Sequence, residues 1–314
     1  MNIDISFIDL FAKSTERGAY GASLYKGKND KVSADKAAVD QMRNQLNKIN
    51  MKGRVVIGEG EMDEAPMLYI NEKLGNNNGD EFDIAVDPLE GTNFTAKNLP
   101  NALSVLAATR KGNLLRAPDV YMDKIAIGPN LPKNIIDIDF SVEKNIKSLC
   151  DAKNSNPNKI TACVLKRSRH DEIVKSLNKL GVKIKFISDG DVSGVISVGF
   201  PGKNIDIYLG IGGAPEGVLA AAALKCLGCQ MQTRLKFSSH EEKERAKKLG
   251  IKDLDKKYLI DDMVKDDVIF CATGVTDGEF VKGIIDNGES FISETLVLHY
   301  VSKTHKIIKN EIKK

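Results

Sequence analysis

The sequence predicts an α/β protein built on a layered sheet, and three observations carry that prediction. Short apolar runs alternate with amphipathic stretches through the second half of the chain, the pattern of strands followed by helices. The strand-like runs end in glycine and acidic residues, where open α/β sheets gather their ligands. A chain of 314 residues, 42% hydrophobic and 28% charged, has material for a large core and a globular surface.

The elements follow in order. Ser33 reads as the cap of a helix over 33–49, with Val39, Met42, Leu46 and Ile49 on one face. Arg54-Val55-Val56-Ile57 reads as a short buried strand that enters Gly58-Glu59-Gly60-Glu61. A helix is expected next, with Pro66 near its start and Gly75 just past its end. Phe82-Asp83-Ile84-Ala85-Val86 reads as a buried strand. Residues 104–109 and 114–115 look like a hairpin around Lys111-Gly112-Asn113. Then come a strand over 160–165, a helix over 169–180 stopped by Gly181, and a strand over 182–187 that enters Asp189-Gly190-Asp191. A strand over 205–209 runs into Gly210-Ile211-Gly212-Gly213, and a helix over 215–227 follows. The charged stretch 241–249 reads as a solvated helix. The polar stretch 151–159, with Asn154-Ser155-Asn156-Pro157-Asn158, reads as a linker and divides the chain into parts 1–155 and 156–314.

Charge and cysteine usage exclude several classes. A formal net charge of +3 gives no expectation of nucleic acid or membrane as a partner. No basic stripe with interleaved aromatics stands out. No apolar run approaches the ~18 residues of a membrane span. The start, Met1-Asn2-Ile3-Asp4-Ile5, carries an acid and lacks the pattern of a secretory signal. Five cysteines are an odd number in a long chain, which suits a reducing cytoplasm better than a disulfide scaffold. Cys226-x-x-Cys229 falls at a helix end with Gly228 between, and reads as structural.

The run Asp87-Pro88-Leu89-Glu90-Gly91-Thr92 carries the most chemistry. Two carboxylates at the end of a buried strand lose hydration, and hard divalent cations such as magnesium or manganese would offset that cost. Asp35 and Glu59 occupy similar edges of regular elements, and so does Glu216. Each alone could be a helix-dipole acid or a turn residue. Together they supply hard oxygen ligands for two or three cations. Phosphoryl transfer needs charge neutralisation and alignment more than covalent help. The Thr92 hydroxyl could orient an attacking water. Gly212-Gly213-Ala214 before Glu216 lets a backbone approach a phosphate. Lys166-Arg167-Ser168-Arg169 offers guanidinium forks that match phosphate oxygens. Asp189 and Asp191 could accept hydrogen bonds from sugar hydroxyls, and Tyr121 could do the same or stack.

These strings resemble the lithium-sensitive, metal-dependent phosphomonoesterases. Val56 through Tyr69, Asp83 through Thr92, Arg169-His170-Asp171, Asp189-Gly190-Asp191, Gly210 through Val218 and Ala272-Thr273-Gly274-Val275-Thr276 are similar to class II, GlpX-type fructose-1,6-bisphosphatases. The resemblance implies an α-β-α-β-α sandwich of the sugar phosphatase and inositol monophosphatase type. It implies metal ligands at Asp35, Glu59, Asp87, Glu90 and Glu216, holding Mn2+ or Mg2+. It implies substrate contacts at Glu90, Gly91, Thr92, Tyr121, Arg167, Ser168, Arg169, Asp189, Gly190, Asp191 and Gly213. Thr92 and Glu59 would activate water. The expected activity removes the C1 phosphate of fructose 1,6-bisphosphate, a sugar bisphosphate, in a cytoplasmic homo-oligomer serving gluconeogenesis. One departure is Lys166-Arg167-Ser168-Arg169, where relatives often carry Ala-Lys-Pro-Arg.

Overall fold

The computed structural model describes residues 2–58 and 67–314. Its strands, in chain order, are β1 (Met51–Ile57), β2 (Lys73–Leu74), β3 (Asp80–Glu90), β4 (Leu103–Arg110), β5 (Tyr121–Ile127), β6 (Thr161–Leu165), β7 (Lys183–Ile187), β8 (Ile207–Gly213), β9 (Gln230–Lys236), β10 (Lys257–Leu259), β11 (Val268–Gly274), β12 (Ile285–Asp286), β13 (Ser290–His299) and β14 (Thr304–Lys313). Its helices include α1 (Phe7–Ser23), α2 (Lys31–Leu46), α3 (Thr92–Ala96), α4 (Val142–Lys153), α5 (Asp171–Lys179), α6 (Asp191–Ile196), α7 (Ala214–Leu227) and α8 (His240–Lys248). The mixed α/β class expected from the alternation is what forms. The chain folds as two compact units, Met1–Leu115 with Val264–Lys314, and Arg116–Met263. The stretch 151–159 that reads as a linker lies within the second unit, at the end of α4 and in the turn Pro157–Lys159.

In the first unit the sheet order is β12-β13-β11-β4-β3-β1-β2, with β14 paired along β13. Helices α1 and α2 pack on this sheet. Ile8 and Phe11 of α1, and Val39, Met42 and Leu46 of α2, meet Phe82, Ile84 and Val86 of β3 and Leu106 and Ala108 of β4. Burying side chains of this size contributes about 1.5–3 kcal/mol each before entropy is counted. The intervening residue Ala85 is buried too. Strand β3 therefore reads as a nearly continuous apolar run rather than an alternating one.

Several sequence expectations are corrected here. Helix α2 starts at Lys31, because the Asp30 side chain accepts the Ser33 N–H at 3.0 Å as its N-cap. Asp35 therefore falls in the second turn. No helix ends at Gly75. The described residues before it carry the short strand β2, which pairs with β1, and Gly75 takes φ +89° against the Met51 carbonyl. No hairpin returns from β4 either. Both edges of β4 are occupied, by β3 and β11, so Leu114 makes only a bridge to Val264.

The second unit has the sheet order β10-β9-β5-β8-β6-β7 with helices on both faces. Ile207 and Leu209 of β8 and Ala162 and Val164 of β6 face the cluster that includes Ile146 and Leu149 of α4 and Leu177 of α5. Tyr208 and Cys163 point the other way, where α6 approaches closely enough that a Cβ at Gly194 would touch both. Strand β8 runs to Gly213, four residues past the expected end. The glycine run is thus strand, paired with Tyr121 through Lys124 of β5, and not a loop. All five cysteines are buried, and burial pushes the Cys229 thiol up to about 12, which suits an inert structural thiol. Among the described residues no helix is long and apolar enough to cross a membrane.

Candidate active site

The first unit contributes an acidic corner at the end of β3. The strand includes both acids, where the sequence placed them just beyond it. Asp87 pairs with Val105 and Glu90 with Leu103, so β3 uses one residue more than β4 over this step. That bulge holds Pro88, which lacks the N–H a regular ladder needs. The Asp87 Oδ1 atom accepts the Leu89 N–H at 3.2 Å and shapes the bulge. Glu90 is buried. Gly91 follows at φ +81°, where a Cβ would lie 2.7 Å from the Phe94 ring, so only glycine turns the chain here without strain. Thr92 is then the first residue of α3 and is half-buried. Asp35, on α2, is half-buried with its Oδ1 shut off from solvent. Glu59 lies outside the described residues.

The second unit builds a tighter cluster where β5 begins and β8 ends. Tyr121 pairs with Gly213, and its ring lies under the Arg169 guanidinium at 4.8 Å. Arg169 also donates twice to the Ile211 carbonyl, from Nε at 3.0 Å and from an Nη at 2.8 Å. Arg167 donates to the Ser188 carbonyl at 2.8 Å, which places it beside Asp189. Ser168 opens the 3-10 turn Ser168–His170. The two arginines beside it are anchored on backbone carbonyls. His170 is fully buried. Its Nδ1 donates to the Leu165 carbonyl at 2.7 Å and its Nε2 accepts the Ile211 N–H at 2.8 Å, stapling β6 to β8.

Gly190, at φ +78°, turns the chain from Asp189 into Asp191 at the start of α6. Asp191 is buried and engaged on both oxygens: the Lys124 ammonium pairs with Oδ2 and the Tyr208 hydroxyl donates to Oδ1. A Cβ at Gly212 would lie 1.9 Å from Asp191 Oδ2, and one at Gly213 would lie 1.9 Å from Glu216 Oε2. Both carboxylates therefore press against bare backbone. Glu216 stands in the first turn of α7. Burial pushes its carboxyl above the usual range; Lys124 opposes that rise and Asp191 adds to it. Burial, with Asp191 beside it, likewise holds the Tyr208 phenol well above its usual range.

Lys124 and Tyr208 are absent from the sequence reading, yet they hold this cluster together. A signal was available. Lys124 falls at an inward position of β5, between the buried Met122 and Ala126. A lysine there requires a carboxylate partner.

The donor set fits a hard divalent cation. Asp35, Asp87, Glu90 and Glu216 offer only carboxylate oxygens, the type magnesium and manganese take. Among the described residues no group of three such side chains closes to ligating distance, and Glu59 stands outside those residues. In the first unit acids stand beside a hydroxyl at a helix start, and in the second arginines are stacked and forked on backbone; each arrangement suits a phosphate ester.

The family described as bacterial fructose-1,6-bisphosphatase, glpX-encoded, matches residues 7–312. The class 2 fructose-1,6-bisphosphatase of Haemophilus influenzae is 42% identical over 96% of this chain and 94% of its own length. A Synechococcus protein named D-fructose 1,6-bisphosphatase class 2/sedoheptulose 1,7-bisphosphatase is 40% identical over 93% of this chain and 91% of its own. The solved extragenic suppressor protein SuhB from Bartonella henselae superposes with a TM-score of 0.36 at 10% identity, over 62% of this chain and 74% of that one.

Proposed function

We infer the activity from one premise: the chain belongs to the glpX-encoded bacterial fructose-1,6-bisphosphatase family. It is a phosphatase that hydrolyses the C1 phosphate of D-fructose 1,6-bisphosphate, giving fructose 6-phosphate and phosphate. The observation that carries this reading is the match over residues 7–312, which spans every candidate site residue.

Asp35, Glu59, Asp87, Glu90 and Glu216 would hold the Mg2+ or Mn2+ ions. Bound there, the cations supply positive charge to the phosphoryl oxygens and the leaving alkoxide. The protein's own residues do the rest. The Thr92 hydroxyl orients the attacking water, and Glu59 takes its proton. Glu90 and Gly91 border the reacting phosphate, and Gly213 contacts the substrate. Arg167, Ser168 and Arg169 bind the phosphate that is kept, with the Arg169 plane fixed by Tyr121. Asp189, Gly190 and Asp191 receive the sugar. We assign the enzyme to the cytoplasm as a homo-oligomer acting in gluconeogenesis.

A second substrate has one observation behind it: the Synechococcus relative is named for both fructose 1,6-bisphosphate and sedoheptulose 1,7-bisphosphate. Phosphate release across these two, inositol phosphates and nucleotide 3'-phosphates, with magnesium and with manganese, tests both readings. Turnover of fructose 1,6-bisphosphate is expected. Its absence under both cations overturns the first reading.

A further inference from the structure

Strands β5 and β8 set Met122 opposite Gly212, Lys124 opposite Gly210 and Ala126 opposite Tyr208. Side chains alternate along a strand, so these six positions share one face. Two of them are glycines, and the space they leave is filled. Asp191 Oδ2 lies where a Cβ of Gly212 would be, and the Tyr208 hydroxyl stands 3.4 Å, and the His170 ring 3.3 Å, from where a Cβ of Gly210 would be. Lys124 is 3% exposed and Tyr208 is fully buried. Each bonds a different oxygen of Asp191. A buried ammonium is costly unless paired, and a buried hydroxyl aimed at a carboxylate removes that oxygen's freedom to turn. Lys124 is also the chief attractive charge acting on Glu216.

We propose that Lys124 and Tyr208 are positioning residues that lock the Asp191 carboxylate from the sheet side. The inference rests on the proposed function, in which Asp191 receives the sugar and Glu216 binds a cation. Neither Lys124 nor Tyr208 needs to touch substrate. With both oxygens of Asp191 held, its outward lone pairs keep one direction, so the sugar meets an acceptor that is already aligned. The lock serves binding more than turnover, so its loss falls on KM and product affinity before kcat.

The experiment compares wild type, Tyr208→Phe, Lys124→Met, Asp191→Asn and Lys124→Met/Asp191→Asn. Three quantities are read: the kinetics of fructose 1,6-bisphosphate hydrolysis at saturating magnesium, the affinity for fructose 6-phosphate without added cation, and the unfolding midpoint. Tyr208→Phe is expected to raise KM and the fructose 6-phosphate Kd by about tenfold, the weight of one bond to a charged group. Its kcat is expected to fall by a smaller factor. Lys124→Met is expected to raise both constants further. Against Asp191→Asn, however, it should add less than about threefold, because the two act as one unit. Should Lys124→Met fail to fold, Tyr208→Phe and the double variant, in which residue 191 no longer carries a charge that needs Lys124, carry the test. Wild-type KM and Kd in Tyr208→Phe with a lowered midpoint would mean a structural role only, and overturn the inference. Fully multiplying effects in the double variant overturn it as well. No turnover by the wild type overturns the proposed function and this inference together; turnover with unchanged variant ratios overturns the inference alone.

Discussion

Gly213→Ala separates the two carboxylates of the second unit. Gly213 has φ −65° and ψ 144°, an extended conformation any residue adopts, so the substitution acts through space alone. Its new Cβ would lie 1.9 Å from Glu216 Oε2, 2.7 Å from Cδ and 2.9 Å from Oε1. Ordinary contact begins near 3.4 Å, so the carboxylate must retreat by 3.4 − 1.9, about 1.5 Å. Ligand distances to a hard cation tolerate only about 0.2 Å. The retreat is cheap for stability, because it moves the far end of a flexible side chain at a cost of about 1 kcal/mol. Gly212→Ala differs. Its Cβ also meets a carboxylate at 1.9 Å, but Asp191 is clamped by Lys124 and Tyr208. Breaking one such charged bond costs about 1.5–3 kcal/mol, or roughly 2–5 °C in midpoint for a chain of this size. The assay is phosphate release titrated with magnesium and manganese, with the unfolding midpoint measured without cation. Gly213→Ala should raise the half-saturating cation concentration about tenfold or more and shift the midpoint by at most a few degrees. Gly212→Ala should lower the midpoint and raise KM. Gly202→Ala, where nothing lies within 4 Å of the new Cβ, is the control. A wild-type cation requirement in Gly213→Ala would refute the reasoning.

Thr92→Ala should lower kcat by about 100-fold or more while fructose 6-phosphate affinity stays within about threefold; unchanged kcat would remove Thr92 from the reaction. Glu16, buried in α1, has its carboxyl raised above the ordinary 4.5 by burial, against hydrogen bonds from Asn310, Ser293 and Thr295. A raised carboxyl contributes stability below 4.5 that is lost as pH rises through its folded value, so Glu16→Gln should flatten the midpoint-against-pH curve above 4.5 and be the more stable protein at pH 7. Thermal melts from pH 4 to 8 would show it, and parallel curves would count against it. Asp267 is fully buried and accepts N–H groups of Ile3 at 2.8 Å, Val268 at 3.0 Å and Val301 at 3.1 Å, beside His299 Nε2 at 3.0 Å. Asp267→Asn should cost about 2–4 kcal/mol in urea unfolding, with kcat unchanged in the folded fraction.

Elements with strong local punctuation were legible. Helix α7 lies where Pro215 and Gly228 bracket an apolar stretch, and α8 is capped by Ser239 as its charge pattern suggests. Helix α1 was missed although Ile8, Phe11, Ala12, Thr15, Ala19 and Ala22 are all buried along it. Its polar spacers and two inner glycines disguise the period, and its stability comes from packing on the sheet and not from local propensity. The hairpin after β4 was over-read for the opposite reason. Lys111-Gly112 is a sound turn, but a turn fixes only where a chain reverses, and the neighbours of β4 are chosen by long-range pairing.

The acids of the candidate site stand out in the sequence because a charged residue at the end of an apolar run needs an explanation, and a cation or a substrate would supply one. Their supports were hidden because each is a residue that looks ordinary in isolation. The glycine run 210–213 suggested a phosphate-binding loop, since glycine frees the backbone. In the strand its value is the missing side chain. Tyr208, Gly210 and Gly212 alternate on one face, and Lys124 stands on the facing strand. A side chain at 212 would fill the volume that the Asp191 carboxylate occupies, and one at 210 would press on the Tyr208 hydroxyl and the His170 ring. The lysine at a core position and the glycines across from it are therefore two halves of one signal. A charge can be buried in a sheet only where its neighbours leave room for its counter-charge, and period-2 reading of both strands together points to a buried carboxylate over that face.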